Sequence, residues 1–412
     1  MNFKDKKIAV WGQGREGQAL LDFFQKQGVP VTVVEGQDVD LSAFDLIFKS
    51  PGISLYNKSL DNIDRAKVSS STKLYQALKD KSVRTVAVTG TKGKSTTSSL
   101  LAHLLKSKGY NVLFGGNIGV PLISLYGQKA DFLVAELSSY QCADLTDAFD
   151  VNVLLNLYPE HVDWHTSHEN YYRDKANLIR CRHPRQMAVL NRKDKKTSEI
   201  LPHPSDAVYF NDDAGVHMKD GFFMDGTKRL FSTESVTSLI GEHNMENICA
   251  VLTVLKILGI SLAGIEKDIN TFSALPHRLQ TVAVKEGVTF VDDSISTTPE
   301  TAVAALKAYA GRRIFLLVGG FDRKQDYETL FDYLSEHGEV TLLCLPDTGK
   351  RVFERAQEKG VSSFYCETMA SAVERAKMLA KSGDVVILSP AAPSYHLYRN
   401  FEARGLDFQK NI

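Results

Sequence analysis

The stretch "VAVTGTKGKSTTSSLL", Val86–Leu101, decides the fold. Thr85–Thr89 is a β-branched run of strand type, and Leu100, Leu101, Leu104 and Leu105 recur at the spacing of one helical face. Between them lie Gly90, Thr91, Lys92, Gly93, Lys94, Ser95 and Thr96. The order is strand, glycine turn, helix. It aims the N–H groups of the first helical turn, and the positive end of the helix dipole, at whatever occupies the turn. Lys94 adds a full charge, so the turn is expected to hold phosphate, with the hydroxyl of Ser95 or Thr96 placed to ligate a phosphate-bound Mg²⁺. The common P-loop has a longer spacer before its Gly-Lys-[Ser/Thr] ending, whereas here only Thr91 and Lys92 intervene. A plain glycine turn with a solvated lysine is the competing reading; it leaves the coincidence of two glycines, a lysine and two hydroxyl residues unexplained.

At 412 residues the chain is too long for one ordinary core. Three domains are expected, over residues 1–80, 81–275 and 276–412, with the polar "KDKSVR" (Lys79–Arg84) as the first linker and "SALPHRLQTV" (Ser273–Val282) at the second boundary. The hydrophobic fraction is 43%, but the longest apolar runs, in "RRIFLLVGG" and "DVVILSPAA", are far shorter than a membrane span. The opening "MNFKDKKIAVWGQG" lacks the apolar stretch of a signal peptide. Five cysteines, Cys142, Cys181, Cys249, Cys344 and Cys366, are scattered without a C-x-x-C pair, as befits reduced thiols. A soluble, cytoplasmic protein is therefore expected, and a monomer is the working expectation. Lys plus Arg equals Asp plus Glu at 49 each, so no global charge recommends nucleic acid or an anionic membrane. Any anionic ligand must be held locally.

The first segment reads as half of a Rossmann unit. A strand leads to Gly12-x-Gly14-x-x-Gly17, a helix is expected to bury Leu20, Leu21 and Phe24, and a second strand ends at Glu35, at a suitable distance for a ribose hydroxyl. A nicotinamide dehydrogenase is a competitor on this evidence, and a non-enzymatic nucleotide-binding module is a third class. Further on, "FKSPGIS" (Phe48–Ser54) ends a strand in a Pro-Gly turn.

The middle segment alternates "TVAVTG", "NVLFGG", "DFLVAELSS", "VNVLLNL" and "MAVLN" with helical stretches, and the last does so through "GVTFVDDS", "RRIFLLVGG", "EVTLLCLP", "SSFYCE" and "DVVILSPAAPS". The fold class is α/β: three domains, each on a mostly parallel sheet with flanking helices, Rossmann-like at both ends and P-loop ATPase-like in the middle. Ligands gather where parallel strands end. Asn117, Glu136 and His161 fall at such ends, and Glu136 suits a Mg²⁺ facing the phosphate turn. His161, Asp163, His165 and His168 also raise zinc, but their spacing matches no standard pattern and no cysteine is near; His165 and His168 read by default as a polar loop, and Lys175 as a solvated lysine. Asn244 and Asn247 begin an apolar helix, where one cap would explain only one of them. Asp292 and Asp293 end a strand, and capping does not explain two adjacent acids.

Taken in order, "GQGREG", "SPGI", "GTKGKST", "GGNIG", "ELSSYQ", "EHVDWH", "YRDK", "GEHNMEN", "PHR", "DDSIST", "GGFDRKQD" and "SPAAPSYHLYRNFEARG" resemble the ATP-dependent Mur ligases of bacterial cell-wall synthesis over essentially the whole chain. The motif set is most similar to that of the member adding glutamate to UDP-N-acetylmuramoyl-L-alanine; the alanine-adding member ranks second. The resemblance implies that the substrate carboxylate attacks the γ-phosphate of ATP to give an acyl phosphate, and that the glutamate amine then displaces phosphate. It implies Lys94, His161 and Lys175 as catalytic groups. Gly90, Thr91, Lys92, Gly93, Lys94, Ser95, Thr96, Asn244, Asn247, Arg278 and Asp293 would hold ATP. Gly14, Arg15, Ser50, Pro51, Gly52 and Asn117 would hold the UDP substrate, so the glycines of the first segment would cradle UDP in place of NAD. Two Mg²⁺ sites would be formed by Ser95, Thr96, Glu136, His161 and Lys175, the last as a carbamate. Thr297, Arg323, Ser394 and Phe401 would contact glutamate, with the D-enantiomer expected and an L-glutamate-adding variant as the alternative. Two positions depart from the family pattern: Ile295 where some members carry lysine, and Arg323 where a lysine is frequent. Both bear on the amino-acid end.

Overall fold

The computed structural model describes residues 3, 5–202, 206–273 and 276–412. The expected boundary at 275–276 abuts Ala274 and Leu275, which lie outside the described residues. Three sheets carry the chain. The first holds β1 (Ile8–Trp11), β2 (Thr32–Val34), β3 (Leu46–Lys49) and β4 (Val68–Ser69), all parallel, in the order β2-β1-β3-β4. The second holds β5 (Arg84–Thr89), β6 (Val112–Gly116), β7 (Phe132–Glu136), β8 (Val151–Leu154), β9 (Met187–Asn191), β10 (Ala207–Phe210), β11 (Val216–Lys219), β12 (Phe222–Asp225) and β13 (Lys228–Ser232), in the order β13-β12-β11-β10-β9-β8-β5-β7-β6. The third holds β14 (Gln280–Lys285), β15 (Val288–Asp292), β16 (Ile314–Gly320), β17 (Val340–Asp347), β18 (Ser363–Tyr365) and β19 (Val385–Leu388), in the order β14-β15-β19-β16-β17-β18. Antiparallel pairing is confined to β11-β12-β13 and β14-β15.

Two compact units result: residues Met1–Leu239 with His243–Phe272, and Ile240–Glu242 with Ser273–Ile412. The first unit contains both of the first two sheets. They share one apolar core, in which Ile8, Val10, Leu20 and Phe24 meet Ala87, Leu133 and Leu137. In the helix Arg15–Lys26, Leu20 and Phe24 are buried as expected, whereas Leu21 is half-exposed and Phe23 takes the inward place. On the other face of the second sheet, Leu100, Leu101, Leu104 and Leu105 are fully buried against the helix Glu242–Ile257. That packing, rather than helix propensity, anchors the helix Lys94–Ser107 behind the glycine turn. In the second unit, apolar side chains cover both faces of the parallel strands, as a sheet sandwiched between helices requires.

Candidate active site

β5 delivers the chain to Gly90 (φ +156°) and Gly93 (φ +84°) before the helix starts at Lys94. Both glycines are required. A Cβ on Gly90 would stand 2.8 Å from Leu155 Cβ, and one on Gly93 would stand 2.4 Å from Asn247 Oδ1. Asn156 braces the turn from β8, accepting from Lys92 N at 2.8 Å and donating to Lys92 O at 3.2 Å. Thr91 Oγ1 lies 2.7 Å from Tyr171 Oη, and Lys92 Nζ donates to Glu160 at 2.9 Å. Asn247 in turn donates to Asn244 Oδ1 at 3.2 Å, so both asparagines of the helix start stand together beside Gly93.

Lys94 Nζ folds back to the carbonyls of Gly90 and Thr91, at 2.9 and 3.0 Å. Lys175 reaches the same Gly90 oxygen at 3.0 Å from the helix His168–Arg180. The default expectation of a solvated Lys175 is overturned: it is 1% exposed. Burial, and then the neighbouring Lys94 charge, push its pKa down to about 7.

Glu136 ends β7 with no exposed surface. Its Oε1 accepts from Asn117 Nδ2 at 2.7 Å, while Oε2 is buried without a hydrogen-bond partner. A buried, unsatisfied carboxylate oxygen is costly, and a hard cation bound beside it would remove that cost. Among the described residues no three His, Cys, Asp or Glu side chains gather into a metal cluster. The donor set therefore fits Mg²⁺, which keeps waters and phosphate oxygens among its ligands, better than a protein-enclosed zinc.

His161 sits at φ 55°, with Nδ1 2.9 Å from Tyr140 Oη and Nε2 3.6 Å from Glu160. Burial lowers its pKa, with Glu160 opposing and Lys175 and Lys94 assisting, which favours the neutral ring a metal ligand needs. His165 corrects the polar-loop expectation. It is fully buried, 2.8 Å from Asp174 and 2.9 Å from Ser139 Oγ, and so belongs to the scaffold.

The first sheet contributes directly. Ser50 Oγ donates to Gly12 O at 2.8 Å, joining the glycine loop to the Pro-Gly turn. Arg15 Nη2 donates to Asn117 O at 2.8 Å, so the N-terminal glycine loop touches the residue that holds Glu136. Trp164 Nε1 donates to Pro51 O at 2.9 Å, and Tyr56 Oη donates to Asp174 at 2.9 Å. Trp164, Tyr56 and Asp174 are members that sequence reasoning missed. The signal available for them was proximity in the chain to His161, Pro51 and Lys175.

In the second unit, Asp293 follows β15 almost fully buried, accepting from Leu279 N at 3.1 Å and Ser389 Oγ at 2.7 Å. Burial raises its pKa to about 6, against the lowering effect of Ser296, Ser389, Leu279 and Arg278. Its neighbour Asp292 is bound to His277 Nδ1 at 2.7 Å and Gln409 at 2.8 Å. Gln325 donates to Thr297 O at 3.2 Å, tying the Thr297 loop to that of Arg323. Arg323 itself is exposed, 5.8 Å from the Tyr395 ring. Ser394 is 5% exposed and lines a cavity of about 470 Å³ with Gly319, Gly320, Leu397, Tyr398 and Arg404. Phe401 is half-buried at the first position of the helix Phe401–Asn411, its ring 6.1 Å from that of His277.

Comparison with known proteins bears on the family and the fold. Residues 88–255 match the Mur ligase middle domain, and residues 277–392 match the Mur ligase glutamate ligase domain. A UDP-N-acetylmuramoyl-L-alanine--L-glutamate ligase of Salinispora tropica is 37% identical, covering 100% of this chain and 98% of the relative. The protein of the same description from Xanthomonas campestris pv. campestris is 35% identical over 98% and 94%. Among solved structures, the MurF ligase of Thermotoga maritima in complex with ADP superposes with a TM-score of 0.63 at 20% identity, over 100% of this chain and 96% of that one. The UDP-N-acetylmuramate-alanine ligase MurC from the same organism gives 0.64 at 17%, over 98% of each. The fold, the ordered motifs and full-length identity to curated relatives lead to one conclusion: the chain belongs to the Mur ligase family.

Proposed function

We propose that the protein is an ATP-dependent ligase that joins L-glutamate to UDP-N-acetylmuramoyl-L-alanine in peptidoglycan synthesis. The observation that carries the reading is the convergence of Lys94 and Lys175 on the Gly90 carbonyl. It sets two amines on a phosphate-type turn, in the unit that holds the buried, half-satisfied carboxylate of Glu136. The L-enantiomer replaces the D-glutamate expected above because full-length relatives at 35–37% identity are named L-glutamate ligases. Ile295 and Arg323, which depart from the pattern expected of the D-adding member, support the same choice.

In this reading Lys94 and the N–H groups of Gly90–Thr96 bind the β- and γ-phosphates, and Asn244 and Asn247 contact adenine. Arg278 contacts phosphate and Asp293 ribose. Gly14, Arg15, Ser50, Pro51, Gly52 and Asn117 hold the UDP substrate. Ser95, Thr96, Glu136, His161 and carbamylated Lys175 would hold two Mg²⁺, which neutralise phosphate charge when bound. Thr297, Arg323, Ser394 and Phe401 orient glutamate so that its amine meets the activated carbonyl. Domains over 1–80, 81–275 and 276–412 would divide these tasks. No described helix is long and apolar enough to cross a membrane; we read the protein as a cytoplasmic monomer. Phosphate release and amide formation measured with each substrate omitted in turn test the proposal: release should require ATP and the UDP substrate and be accelerated by glutamate with equimolar amide, and release unaffected by glutamate with no amide formed would refute ligation.

A further inference from the structure

Arg404 is 1% exposed, yet its guanidinium faces no carboxylate among its hydrogen-bond partners. Nε donates to Ser294 Oγ at 3.0 Å, Nη2 to Ser294 O at 2.7 Å and Nη1 to Ala392 O at 2.9 Å. These bonds use three of the five N–H groups an arginine carries. Asp292 acts on it electrostatically but makes its hydrogen bonds with His277 and Gln409. Burying a cation costs several kcal/mol in general, and desolvation outweighs the opposing effect of Tyr398, Asp292 and Tyr327, pulling the pKa of Arg404 down to about 10. Most buried arginines are paired; this one instead forms part of the wall of the 470 Å³ cavity, with Ser394. A Cβ on the neighbouring cavity residue Gly320 would stand 3.0 Å from Arg404 Nη1, so the guanidinium lies directly against that wall. Two acids, Glu367 and Asp407, also line the cavity, but Asp407 accepts from Tyr398 Oη at 2.6 Å and from Asn411.

We propose that Arg404 is a specificity-determining residue, whose buried charge selects an incoming amino acid with an anionic side chain by favouring that carboxylate in the cavity beside Ser394. The inference rests on the ligase reading and deepens it. Glutamate carries two carboxylates, and the exposed Arg323 can serve only one of them. A neutral isostere of the side chain removes the charge that Arg404 matches while keeping the shape, so the change in glutamate-to-glutamine discrimination on replacing Arg404 reports on this contact.

The test compares kcat/KM for L-glutamate and L-glutamine, with ATP and UDP-N-acetylmuramoyl-L-alanine at saturation, in the full-length enzyme. Arg404→Met should lower the glutamate-to-glutamine ratio at least about tenfold, whereas Arg404→Lys, which keeps the charge, should preserve most of it. Leu397→Asp is the second variant. Leu397 lines the same cavity but is 51% exposed, so the change leaves the core intact. The added negative charge should lower the ratio several-fold with the thermal midpoint unchanged. If Arg404→Met depresses both amino acids equally, or Leu397→Asp leaves the ratio where it was, the inference is overturned. Failure of the wild-type enzyme to use either glutamate enantiomer would instead strike at the ligase reading.

Discussion

Lys94 and Lys175 share one acceptor: their Nζ atoms lie 2.9 and 3.0 Å from the carbonyl oxygen of Gly90. Two ammonium groups on one buried oxygen repel each other, so the more deeply buried partner gives up its proton first. Lys175 is that partner. A neutral amine is what reaction with CO₂ requires, and the resulting carbamate would be the anion that a nearby cation stabilises. Lys175→Ala should abolish ligation and be partly rescued by short-chain carboxylic acids. Full activity without rescue would make Lys175 a structural residue.

The same shift fixes a pH dependence. Because the Lys175 pKa in the folded protein, about 7, lies below its ordinary value of 10.5, the unfolded chain binds the extra proton between those limits. Stability therefore rises with pH across that window. In CO₂-free buffer with chelator, Lys175→Met should raise the thermal midpoint most below about pH 7, with the gain shrinking toward about pH 10. A gain independent of pH would show that the amine is not titrating there.

Lys94→Ala removes the phosphate charge while leaving the Gly90–Gly93 turn in place. Phosphate release should fall by at least about a hundredfold, the scale of losing a preorganised charge contact in a transition state. The midpoint of unfolding should change little, since the bonds from Lys94 to the Gly90 and Thr91 carbonyls span only the turn. A loss of activity that tracked a loss of folded protein would count against the assignment.

Gly93→Ala separates conformation from charge. Its φ of +84° and the 2.4 Å approach to Asn247 Oδ1 leave no room for a methyl group. The substitution should destabilise by about 1–3 kcal/mol and displace Asn247, weakening ATP binding more than binding of the UDP substrate. Calorimetric titration with each nucleotide checks this; equal weakening would show that the two binding regions are not separable at Gly93.

Much of this was legible in the sequence, for identifiable reasons. The glycine turn, its strand and its leucine-faced helix are local features, and local chemistry set them. The parallel strands read as uninterrupted apolar runs because both their faces are covered. By contrast, the antiparallel extension β11-β12-β13 breaks the strand-helix rhythm, and its short, half-exposed strands carry weaker patterns. Lys175 read as a solvated lysine because nothing in "YRDK" reveals that Tyr171 and Gly90 will close over it. Arg404 stayed hidden for the same reason: its partners Ser294 and Ala392 lie 110 and 12 residues away.

Asp293 provides a second titration. Its folded pKa of about 6 lies above the ordinary 3.8, so the folded protein holds the extra proton between those values and loses stability as pH rises through them. Asp293→Asn should therefore stabilise the protein at neutral pH, and this advantage should vanish below about pH 4. If Asp293 contacts ribose, the same variant should raise KM for ATP. Stabilisation without any change in KM would leave Asp293 with a purely structural role.

The decisive measurement offers D-glutamate, L-glutamate, L-alanine and meso-diaminopimelate separately, with ATP, Mg²⁺ and UDP-N-acetylmuramoyl-L-alanine, and follows amide product and phosphate together. L-glutamate should give equimolar phosphate and amide, at a kcat/KM at least about tenfold above that for the D-enantiomer, the scale of one well-placed contact. Preference for D-glutamate would contradict the stereochemical proposal, and phosphate release without amide from any of the four would contradict the ligase itself.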